Sequence, residues 1–573
     1  MATTQHDEHT VDLLVIGSGT GMAAALSAHE AGLSVLIVEK SQWAGGSTAR
    51  SGGAFWVPRN PILAAQQPAD SESDARRYIR AVVGDTAPAQ RGDAFIDHGA
   101  DAIAMLSRTT PMKFFWAKGY SDYHPEEPGG SAVGRTCECK PFDLAVLGEN
   151  RGRLRPGLLD APLPMPVTGA DYKWLNLITS TPVRSMRRVL KALGVGVGGL
   201  ALGRHYVAGG QALAAGLFAG VLRAGIPIWY GAHPTELLST GERIDGAMID
   251  RDGTLTRVRA RKGIVLAAGG FDHDMTMRHR WQSPMLADNA SLGAESNTGD
   301  AIVLGQQVGA AIDSMDQSWW FPAVAAPKDG VPSVLLAERS LPGSFIVDQT
   351  GRRFINEATD YMSFGQRILA RERDGDPVTD MWIIFDQRYR NSYVFGGAIF
   401  PRQPLPQTWY EQGIAHRSGD PADLAAQIGV PADGFGDALR SFNAAAESGI
   451  DHEFGRGASA YDRYYGDPSV TPNPNVRPLT GELYAVRMVL SDLGTCGGLR
   501  ADSRARVLRE DNSVIAGLYA IGNTAANAFG ASYPGAGATI GQGLVYGHIA
   551  ALDAAGKVSD STSDPQAGAL GSR

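Results

Sequence analysis

The sequence of 573 residues is poor in cysteine, in excess charge and in long apolar runs, and each shortage excludes a class of protein. The three cysteines, Cys137, Cys139 and Cys496, cannot form a disulfide framework, and no signal peptide precedes the first apolar segment. We therefore expect a cytoplasmic protein. No stretch reaches the roughly 18 apolar residues of a membrane-spanning helix. The net charge of −8 argues against a nucleic-acid partner, which requires a basic surface.

Metal ligation is not predicted either. Cys137 and Cys139 have the residue type of zinc ligands, but the sequence has no second pair to complete a site. Glycine, by contrast, is abundant, with 71 of 573 residues against an average share of about 7%. The glycines follow no repeat, which excludes a collagen-like chain. Close approach of the backbone to a large ligand explains such an excess.

The clearest motif lies at the start of the chain, where an apolar run ends in a glycine-rich turn. Leu13–Ile16 predicts a buried parallel strand, GSGTG at 17–21 a turn, and the alanine-rich stretch from Met22 a helix. The next strand ends at Glu39, 22 residues after Gly17. This pattern predicts a dinucleotide site, with the pyrophosphate at the helix N-terminus. Glu39 is expected to bind the adenosine ribose, which disfavours NADP.

A second glycine-rich segment, GGSTARSGG at 45–53, indicates which dinucleotide is bound. It follows the ribose-binding strand and is expected to be a loop that offers backbone donors to a long cofactor. An isoalloxazine ring needs such a cradle, whereas a nicotinamide does not. KGIVLAAGG at 262–270 and GLYAIG at 517–522 each predict a strand that ends in glycine beside the cofactor, and GAGATIGQG at 535–543 opens the last helix. The sequence therefore predicts FAD, bound non-covalently.

The fold class predicted from these elements is α/β, with a Rossmann-like FAD-binding domain made from both chain ends and an inserted α+β catalytic domain. We assign residues 9–300 and 493–558 to the FAD-binding domain and residues 301–492 to the catalytic domain. Residues 1–8 and 559–573 are expected to be flexible tails. Within the insert, Pro421–Ile428 and Asp437–Ser448 predict helices and Met381–Phe385 predicts a strand.

Residues 184–204 combine basic and apolar side chains. Arg184, Arg187, Arg188 and Lys191 precede the stretch 192–203, ALGVGVGGLALG, which is too rich in glycine to predict a stable helix. Two interpretations stay open. The segment is either a surface connection with a solvated basic face or a contact with an anionic membrane surface.

Motifs spread along the whole chain resemble those of the FAD-dependent 3-ketosteroid Δ1-dehydrogenases, within the fumarate reductase/succinate dehydrogenase flavoprotein superfamily. Besides the glycine-rich segments, they are SDYHPEEPGG at 121–130, NTGD at 297–300, MDQSWW at 315–320, RRFINEATDY at 352–361, DLGTCGG at 492–498, GLYAIGN at 517–523 and YPGAGATIG at 533–541. The chain departs from the family pattern in its shortened first glycine turn and in Cys496, where relatives often carry lysine.

The resemblance implies a site built from tyrosines for removing hydrogen from ring A of a 3-ketosteroid. Tyr361 takes the proton from carbon 2, and Tyr123 hydrogen-bonds to Tyr361 and eases its loss of a proton. Tyr533 and the backbone N–H of Gly537 bind the ketone oxygen at carbon 3. Hydride then leaves carbon 1 for flavin N5, and an external, quinone-like acceptor reoxidises the flavin.

The cofactor residues predicted from the motifs share a position at the glycine turns or at strand ends. They are Gly17, Ser18, Gly19, Gly21, Glu39, Lys40, Gly46, Ser47, Thr48, Ser51, Gly52, Gly53, Ala268, Gly269, Gly522, Asn523, Ala538 and Ile540.

Three other functions compete with this prediction. A fumarate-reductase-like enzyme needs arginines and histidines to bind a dicarboxylate, whereas the matched positions are tyrosines and glycines. A steroid dehydrogenase acting on the 4,5 bond is disfavoured by the YPGAGATIG motif. A flavin-containing sensor without turnover has no need of all three tyrosines.

Overall fold

The structure is a computed structural model, and it describes residues 8–66, 70–158, 165–288, 290–328 and 330–558. Of the predicted tails at 1–8 and 559–573, all residues except Glu8 lie outside the described residues, and Glu8 is the first residue of β1. The strands are β1 (Glu8–Ile16), β2 (Val35–Glu39), β3 (Ala54–Trp56), β4 (Phe114–Trp116), β5 (Thr136–Cys139), β6 (Phe142–Asp143), β7 (Tyr206–Val207), β8 (Ile228–Tyr230), β9 (Ala232–Thr240), β10 (Arg243–Arg251), β11 (Thr254–Leu266), β12 (Ile312–Asp313), β13 (Ser318–Val324), β14 (Ser333–Val334), β15 (Ser344–Asp348), β16 (Met381–Asp386), β17 (Ala415–Ser418), β18 (Leu483–Thr495), β19 (Gly498–Leu499), β20 (Arg506–Leu508) and β21 (Val514–Ala520).

The helices are α1 (Gly21–Glu30), α2 (Gly46–Arg50), α3 (Pro61–Ala64), α4 (Glu72–Val83), α5 (Ala89–Thr109), α6 (Gly169–Asn176), α7 (Pro182–Ala201), α8 (Gly209–Arg223), α9 (Met275–Trp281), α10 (Asp300–Gln307), α11 (Tyr361–Arg373), α12 (Gln387–Ser392), α13 (Gln407–Glu411), α14 (Pro421–Gln427), α15 (Ala432–Ser448), α16 (Ala460–Tyr464) and α17 (Ala538–Ala554). Short 3-10 segments lie at Leu144–Arg153, Glu338–Ser340 and Gly522–Thr524.

The first sheet is built from both ends of the chain, as predicted. Its order is β20-β21-β11-β1-β2-β8. Strands β1, β2, β8, β11 and β21 are parallel, and β20 is an antiparallel edge. Helices α1 and α17 pack against each other on one face, whereas α10 and the β9–β10 hairpin cover the other. The Rossmann-like α/β architecture is therefore confirmed.

Two local predictions near the cofactor motifs are wrong in detail. Strand β1 begins at Glu8 rather than Leu13, because its polar first half pairs with the extended part of β11, where Glu8 lies beside Arg257. Residues 46–50 form the short helix α2 rather than a loop. The glycines on either side of α2 allow the chain to turn into and out of the helix. Because the segment is so rich in glycine, its composition predicted a loop and not the single helical turn that is present.

The inserted domain is an antiparallel sheet of order β14-β13-β18-β16-β15, with β17 also paired to β18. The helices predicted in it are present as α14 and α15, and the predicted strand is present as β16. The predicted boundaries at 300/301 and 492/493 fall inside α10 and β18. Helix α10 packs in the core of the first sheet, and β18 runs through both predicted units.

A helix is present where glycine content argued against one. α7 runs from Pro182 to Ala201, beginning with a proline at its first position, where the missing N–H costs nothing. Gly199 faces Tyr206 so closely that a Cβ atom would lie 2.7 Å from the ring, so packing explains this glycine. Across the described residues, no helix is both long enough and apolar enough to cross a membrane.

A buried network of charges supports the segment that leads into α11. Arg353 donates to both carboxylate oxygens of Glu357, at 2.8 Å each, and to Asp451 at 2.8 Å. Arg456 lies 3.2 Å from Glu357. Burial raises the pKa of Glu357, but the charges of Arg353 and Arg456 outweigh that effect and hold the pKa below its usual value of 4.5.

We predict that Glu357→Gln destabilises the protein by about 3–5 kcal/mol, because it leaves buried guanidinium groups without their counter-charge. The exposed pair of Asp437 and Arg440 provides the control, and Asp437→Asn is expected to cost less than about 1 kcal/mol. Urea unfolding at neutral pH measures both. Since the folded pKa of Glu357 is depressed, its contribution is present above pH 4.5 and is lost as the pH falls through the folded pKa. Equal losses in the two variants would contradict the prediction.

Candidate active site

A cavity of about 1030 Å³ lies between the first sheet and the inserted domain. Its volume is at the upper end of the roughly 300–1,000 Å³ that is usual for a ligand pocket. All residues predicted for the site line the cavity except Gly21 and Ala538. Gly21 instead packs against Val15 and Ala267, and Ala538 is buried in the core beneath the cavity. The motifs from distant parts of the chain therefore meet in one place.

The turn after β1 has the features of a pyrophosphate site. The N–H of Gly17 donates to the carbonyl of Val38, which fixes the turn against β2. Helix α1 has no side-chain cap at Thr20, and Ser18, Gly19 and Thr20, which lead into the helix, line the cavity. The aligned peptide dipoles of the helix favour an anion at this position.

Glu39 is fixed at the end of β2 by three hydrogen bonds. Its carboxylate accepts from the N–H of Ser18 at 3.0 Å, from the Ser18 hydroxyl at 2.5 Å and from the N–H of Ser41 at 2.9 Å. The side chain is buried but lines the cavity. A carboxylate that is held in this way keeps its remaining acceptor capacity for a ribose hydroxyl.

Lys40 and the segment after β2 are tied to the loop before α10. The ammonium group of Lys40 donates to the Thr298 hydroxyl and to the Asp300 carboxylate, at 2.7 Å each. The Ser47 hydroxyl accepts from the N–H of Ala294 and from the side chain of Asn297, at 2.9 Å each. These hydrogen bonds therefore hold the cofactor residues around α2 in place against the segment before α10.

The far wall of the cofactor region is formed by residues that follow β11 and β21. Asn523 accepts hydrogen bonds from Trp319 at 3.0 Å and from Thr539 at 3.2 Å, which links the inserted domain to the start of α17. Gly537 precedes α17 in a left-handed conformation, and α17 has no side-chain cap. Gly537, Thr539 and Ile540 line the cavity, so the N-terminus of this 17-residue helix lies at the cavity wall, where its dipole favours an anion.

Three tyrosine rings from three separate motifs pack against one another above the cofactor region. The ring centroids of Tyr123 and Tyr361 are 5.3 Å apart, those of Tyr123 and Tyr533 are 5.2 Å apart, and those of Tyr361 and Tyr533 are 5.3 Å apart. Asp360 caps α11 and so places Tyr361 at its first residue. The backbone N–H of Tyr123 donates to Pro534, which holds Tyr123 against the loop of Tyr533.

Burial controls the acidity of these tyrosines. It raises the pKa of Tyr533 to about 12, and it raises the pKa of Tyr361 and of Tyr123 well above 10. The Tyr123 hydroxyl is buried and has no hydrogen-bond partner among the described residues. The Tyr123 side chain nevertheless lowers the pKa of Tyr361, so the predicted hydrogen bond between the two hydroxyls stays a prediction.

The structure adds site residues that the sequence did not indicate. Tyr120 and Tyr465 line the cavity, and their hydroxyls are 2.6 Å apart. Tyr461 packs on Tyr123 with ring centroids 4.7 Å apart. Tyr461, Tyr464 and Tyr465 lie close together in the sequence, but sequence alone favours a core position for any single aromatic residue.

Cys137 and Cys139 lie in β5 as buried thiols, and burial raises the pKa of Cys137 to about 12. Among the described residues no group of three potential metal ligands is present. Cys496 is also buried, and burial raises its pKa. These thiols are therefore neutral packing residues.

The sheet, the glycine turns and the fixed acid at the end of β2 define a flavoprotein of the two-domain FAD-binding class. The family model described as "FAD binding domain" matches residues 12–540. A 3-oxosteroid 1-dehydrogenase from Mycolicibacterium smegmatis is 42% identical over 560 residues, covering 95% of this chain and 97% of the relative. A 4-oxocyclohex-2-ene-1-carboxylate 5-dehydrogenase from Sinomonas cyclohexanicum is 34% identical, covering 96% and 95%.

The solved structure of a 3-ketosteroid Δ1-dehydrogenase from Sterolibacterium denitrificans, in complex with 1,4-androstadiene-3,17-dione, superimposes with a TM-score of 0.90. It is 35% identical, and the match covers 96% of this chain and all of that chain. This chain belongs to the family of FAD-binding flavoproteins that includes these 3-oxosteroid 1-dehydrogenases.

Two neighbouring glycines, Gly52 and Gly53, allow the requirements of folding to be tested separately from those of cofactor binding. A Cβ atom on Gly53 would lie 2.0 Å from Gly209, whereas a Cβ atom on Gly52 meets nothing within 4 Å, although both residues line the cavity. We predict that Gly53→Ala lowers the melting temperature of the FAD-free protein. Gly52→Ala is expected to leave that temperature unchanged and to weaken FAD binding by about tenfold, since the added methyl group enters the cofactor space.

FAD titration followed by flavin fluorescence measures the affinity, and thermal unfolding of the FAD-free protein measures the stability. Unchanged FAD affinity in Gly52→Ala would show that the cofactor does not lie against this glycine.

Proposed function

We propose that the protein is a flavin-dependent dehydrogenase that forms the 1,2 double bond in ring A of 3-ketosteroids. The observation that carries this proposal is the packing of Tyr123, Tyr361 and Tyr533 against one another on one wall of the FAD cavity. The names of the relatives and the bound steroid of the Sterolibacterium denitrificans structure support the same substrate class. The site residues below are assigned on this basis.

Tyr533 and Gly537 bind the ketone oxygen at carbon 3. Since burial raises the pKa of Tyr533 to about 12, its hydroxyl remains a hydrogen-bond donor at neutral pH. The N–H of Gly537 lies at the N-terminus of α17, where the helix dipole favours a negative charge. Both donors stabilise the enolate oxygen as it forms, and one such donor typically contributes about 2.7–4 kcal/mol.

Tyr361 accepts the proton from carbon 2. Burial alone disfavours its phenolate, and the nearby hydroxyls of Tyr533 and Tyr120 disfavour it further. The Tyr123 hydroxyl opposes this effect, because its hydrogen bonding to Tyr361 lowers the pKa of that phenol. Ionisation of Tyr361 therefore depends on Tyr123, which explains a second tyrosine in contact with the base.

FAD, when bound, supplies the acceptor for the hydride from carbon 1. Loss of the proton from carbon 2 and of this hydride leaves the double bond between the two carbons. The electron pair then passes to an external acceptor. The protein's own part is to hold the ketone, to remove the proton and to exclude water with the aromatic side chains of the inserted domain, such as Phe321.

The charge of the cavity lining opposes carboxylate substrates. Among the described residues, the cavity lining contains one lysine, Lys40, and one arginine, Arg50. Lys40 forms an ion pair with Asp300, and Arg50 forms one with Glu295. Fumarate or a 4-oxocyclohexanecarboxylate favours an unpaired cation, and of the two histidines in the lining, His205 and His233, burial lowers the pKa of His205 and so disfavours its charged form. An uncharged, largely apolar ketone fits this lining better, and so does a reaction in which tyrosines handle the proton.

We predict that Tyr361→Phe binds FAD and steroid but loses turnover by about 10²–10⁴-fold, the usual contribution of a general base. Tyr484→Phe is the control, because Tyr484 is also buried but lies in β18 away from the cavity. Anaerobic mixing with androst-4-ene-3,17-dione measures the rate at which flavin absorbance bleaches, and mass spectrometry identifies the product. A near-normal rate of flavin bleaching in Tyr361→Phe would show that Tyr361 is not the base. A wild-type protein that binds the steroid without bleaching is a sensor rather than an enzyme.

We also propose that α7 contacts an anionic membrane surface. Three apolar side chains, Val183, Leu190 and Val197, are 85%, 60% and 53% exposed. Basic residues lie along the same helix at 184, 187, 188 and 191. Gly196 and Leu200 of α7 line the cavity, so the helix stands at its margin. A steroid that partitions into lipid can then reach the cavity along this helix.

Leu190→Glu is expected to reduce binding to vesicles of phosphatidylcholine and phosphatidylglycerol by about tenfold, because it replaces an apolar contact with a repelled charge. Leu255→Glu is the control, since Leu255 is also exposed but lies in the β10–β11 hairpin. Sedimentation with vesicles measures the bound fraction, which should fall with added salt. Equal sedimentation of the two variants, or no preference for the anionic lipid, would overturn the proposal.

A further inference from the structure

Glu138 is a buried carboxyl group in the cavity that the mechanism above does not use. It lies in the middle of β5, opposite Ala54 of β3 and Phe115 of β4. The residue is 2% exposed, and it lines the cavity. Ala54 follows the cofactor segment directly, so Glu138 is held by a strand that is paired to the site itself.

Neither carboxylate oxygen of Glu138 has a hydrogen-bond partner among the described residues. The start of α6 lies above it, where a Cβ atom on Gly169 would be 2.9 Å from one oxygen. The N–H groups of Gly169 and Ala170 approach the carboxylate without making a hydrogen bond of normal geometry, and no described Lys or Arg forms an ion pair with it.

An isolated buried carboxyl group is costly in either protonation state. The ionised form has no counter-charge and only the N–H groups of Gly169 and Ala170 near it, and the protonated form lacks an acceptor for its O–H. Burial, with a smaller effect from Asp171, raises the pKa of Glu138 to about 7. Because buried polar groups in native proteins are nearly always paired, the cavity side of Glu138 requires a partner supplied by a ligand.

The surroundings of Glu138 identify that ligand as the substrate rather than the cofactor. Tyr120, Tyr172 and the segment 165–169 line the cavity, and none of them belongs to the predicted FAD residues. The charge of Glu138 affects the pKa of Tyr120, which places it on the side of the tyrosines. The ketone at carbon 3 already has Tyr533 and Gly537 as donors. The group left for Glu138 is therefore another oxygen of the steroid.

We propose that Glu138 hydrogen-bonds a second oxygen of the steroid, other than the ring-A ketone, and thereby makes the enzyme prefer steroids that carry it. This inference rests on the proposed function. It assigns Glu138 to substrate recognition and not to the removal of hydrogen.

The experiment compares two steroids that share ring A. Androst-4-ene-3,17-dione carries a second oxygen, and androst-4-en-3-one does not. Glu138→Leu is expected to reduce the preference for the dione, measured as the ratio of kcat/KM values, by at least about tenfold. Glu236→Leu, an exposed change in β9, is the control and should leave the ratio as in the wild type. An unchanged ratio in a folded, FAD-loaded Glu138→Leu protein would overturn the inference.

Glu138→Gln provides a second test, which does not require the protein to fold with a leucine at position 138. Below pH 7 the carboxyl group donates to the 17-ketone, and above it the donor is lost, so the wild-type preference for the dione should fall as the pH rises through about 7. The amide of Glu138→Gln donates at every pH, so its ratio should be flat. The titratable groups that interact with Glu138 are Asp171 of α6, Tyr120, Tyr464 and the thiols of Cys137 and Cys139.

These groups are the same in both proteins, so a slope that persists in Glu138→Gln would overturn the inference. Its failure is distinguishable from failure of the proposed function. If neither steroid bleaches the wild-type flavin, the function is wrong. If both bleach it and the variants keep the wild-type ratio, only the role of Glu138 is wrong.

Discussion

The site depends on a buried polar junction between the first sheet and the end of β18. Asp492 lies 2.8 Å from Arg278 and accepts from Ser291 at 2.7 Å. Asp272 accepts from the N–H of Thr495 at 2.9 Å and from Asn297, which also bonds to Ser47 in the cofactor segment. Because each partner is buried, a shift of β18 relative to the FAD sheet leaves charges unpaired. The junction therefore sets the distance between the cofactor region and the inserted domain.

That fixed distance matters for the proposed use of tyrosines as catalytic groups. A phenol is a poor base at neutral pH, and burial makes it poorer, so its action depends on contacts defined to within a fraction of an ångström. Tyr361 is held by the cap of α11, Tyr123 by Pro534 and Tyr533 by the loop before α17. Helix α11 packs on β13 of the inserted domain, whereas Tyr123 is bonded to the loop of Tyr533, so the relative position of these two parts brings the three rings into contact.

The sequence predicted the parts of the molecule that depend on local backbone geometry. Residues that are adjacent in the chain determine the glycine turn at 17–21 and the conformation of Gly537 before α17, so the sequence motifs predicted both. The sequence did not predict Tyr120 and Glu138 as site residues, because their positions depend on β5 lying beside β3 and on α6 covering the strand. The helix α7 was missed because propensity is a weak effect that tertiary packing overrides, as at Gly199.

The distribution of charge explains why one fold can serve an apolar substrate beside an anionic cofactor. In the cofactor region, the groups available to a pyrophosphate are backbone N–H groups and helix N-termini rather than free cations, since Lys40 and Arg50 are paired with acids. No strong positive field therefore extends into the substrate region to favour carboxylates. Selectivity there has to come from shape and from single polar groups, and a lone carboxyl such as Glu138 has a large effect because nothing nearby compensates it.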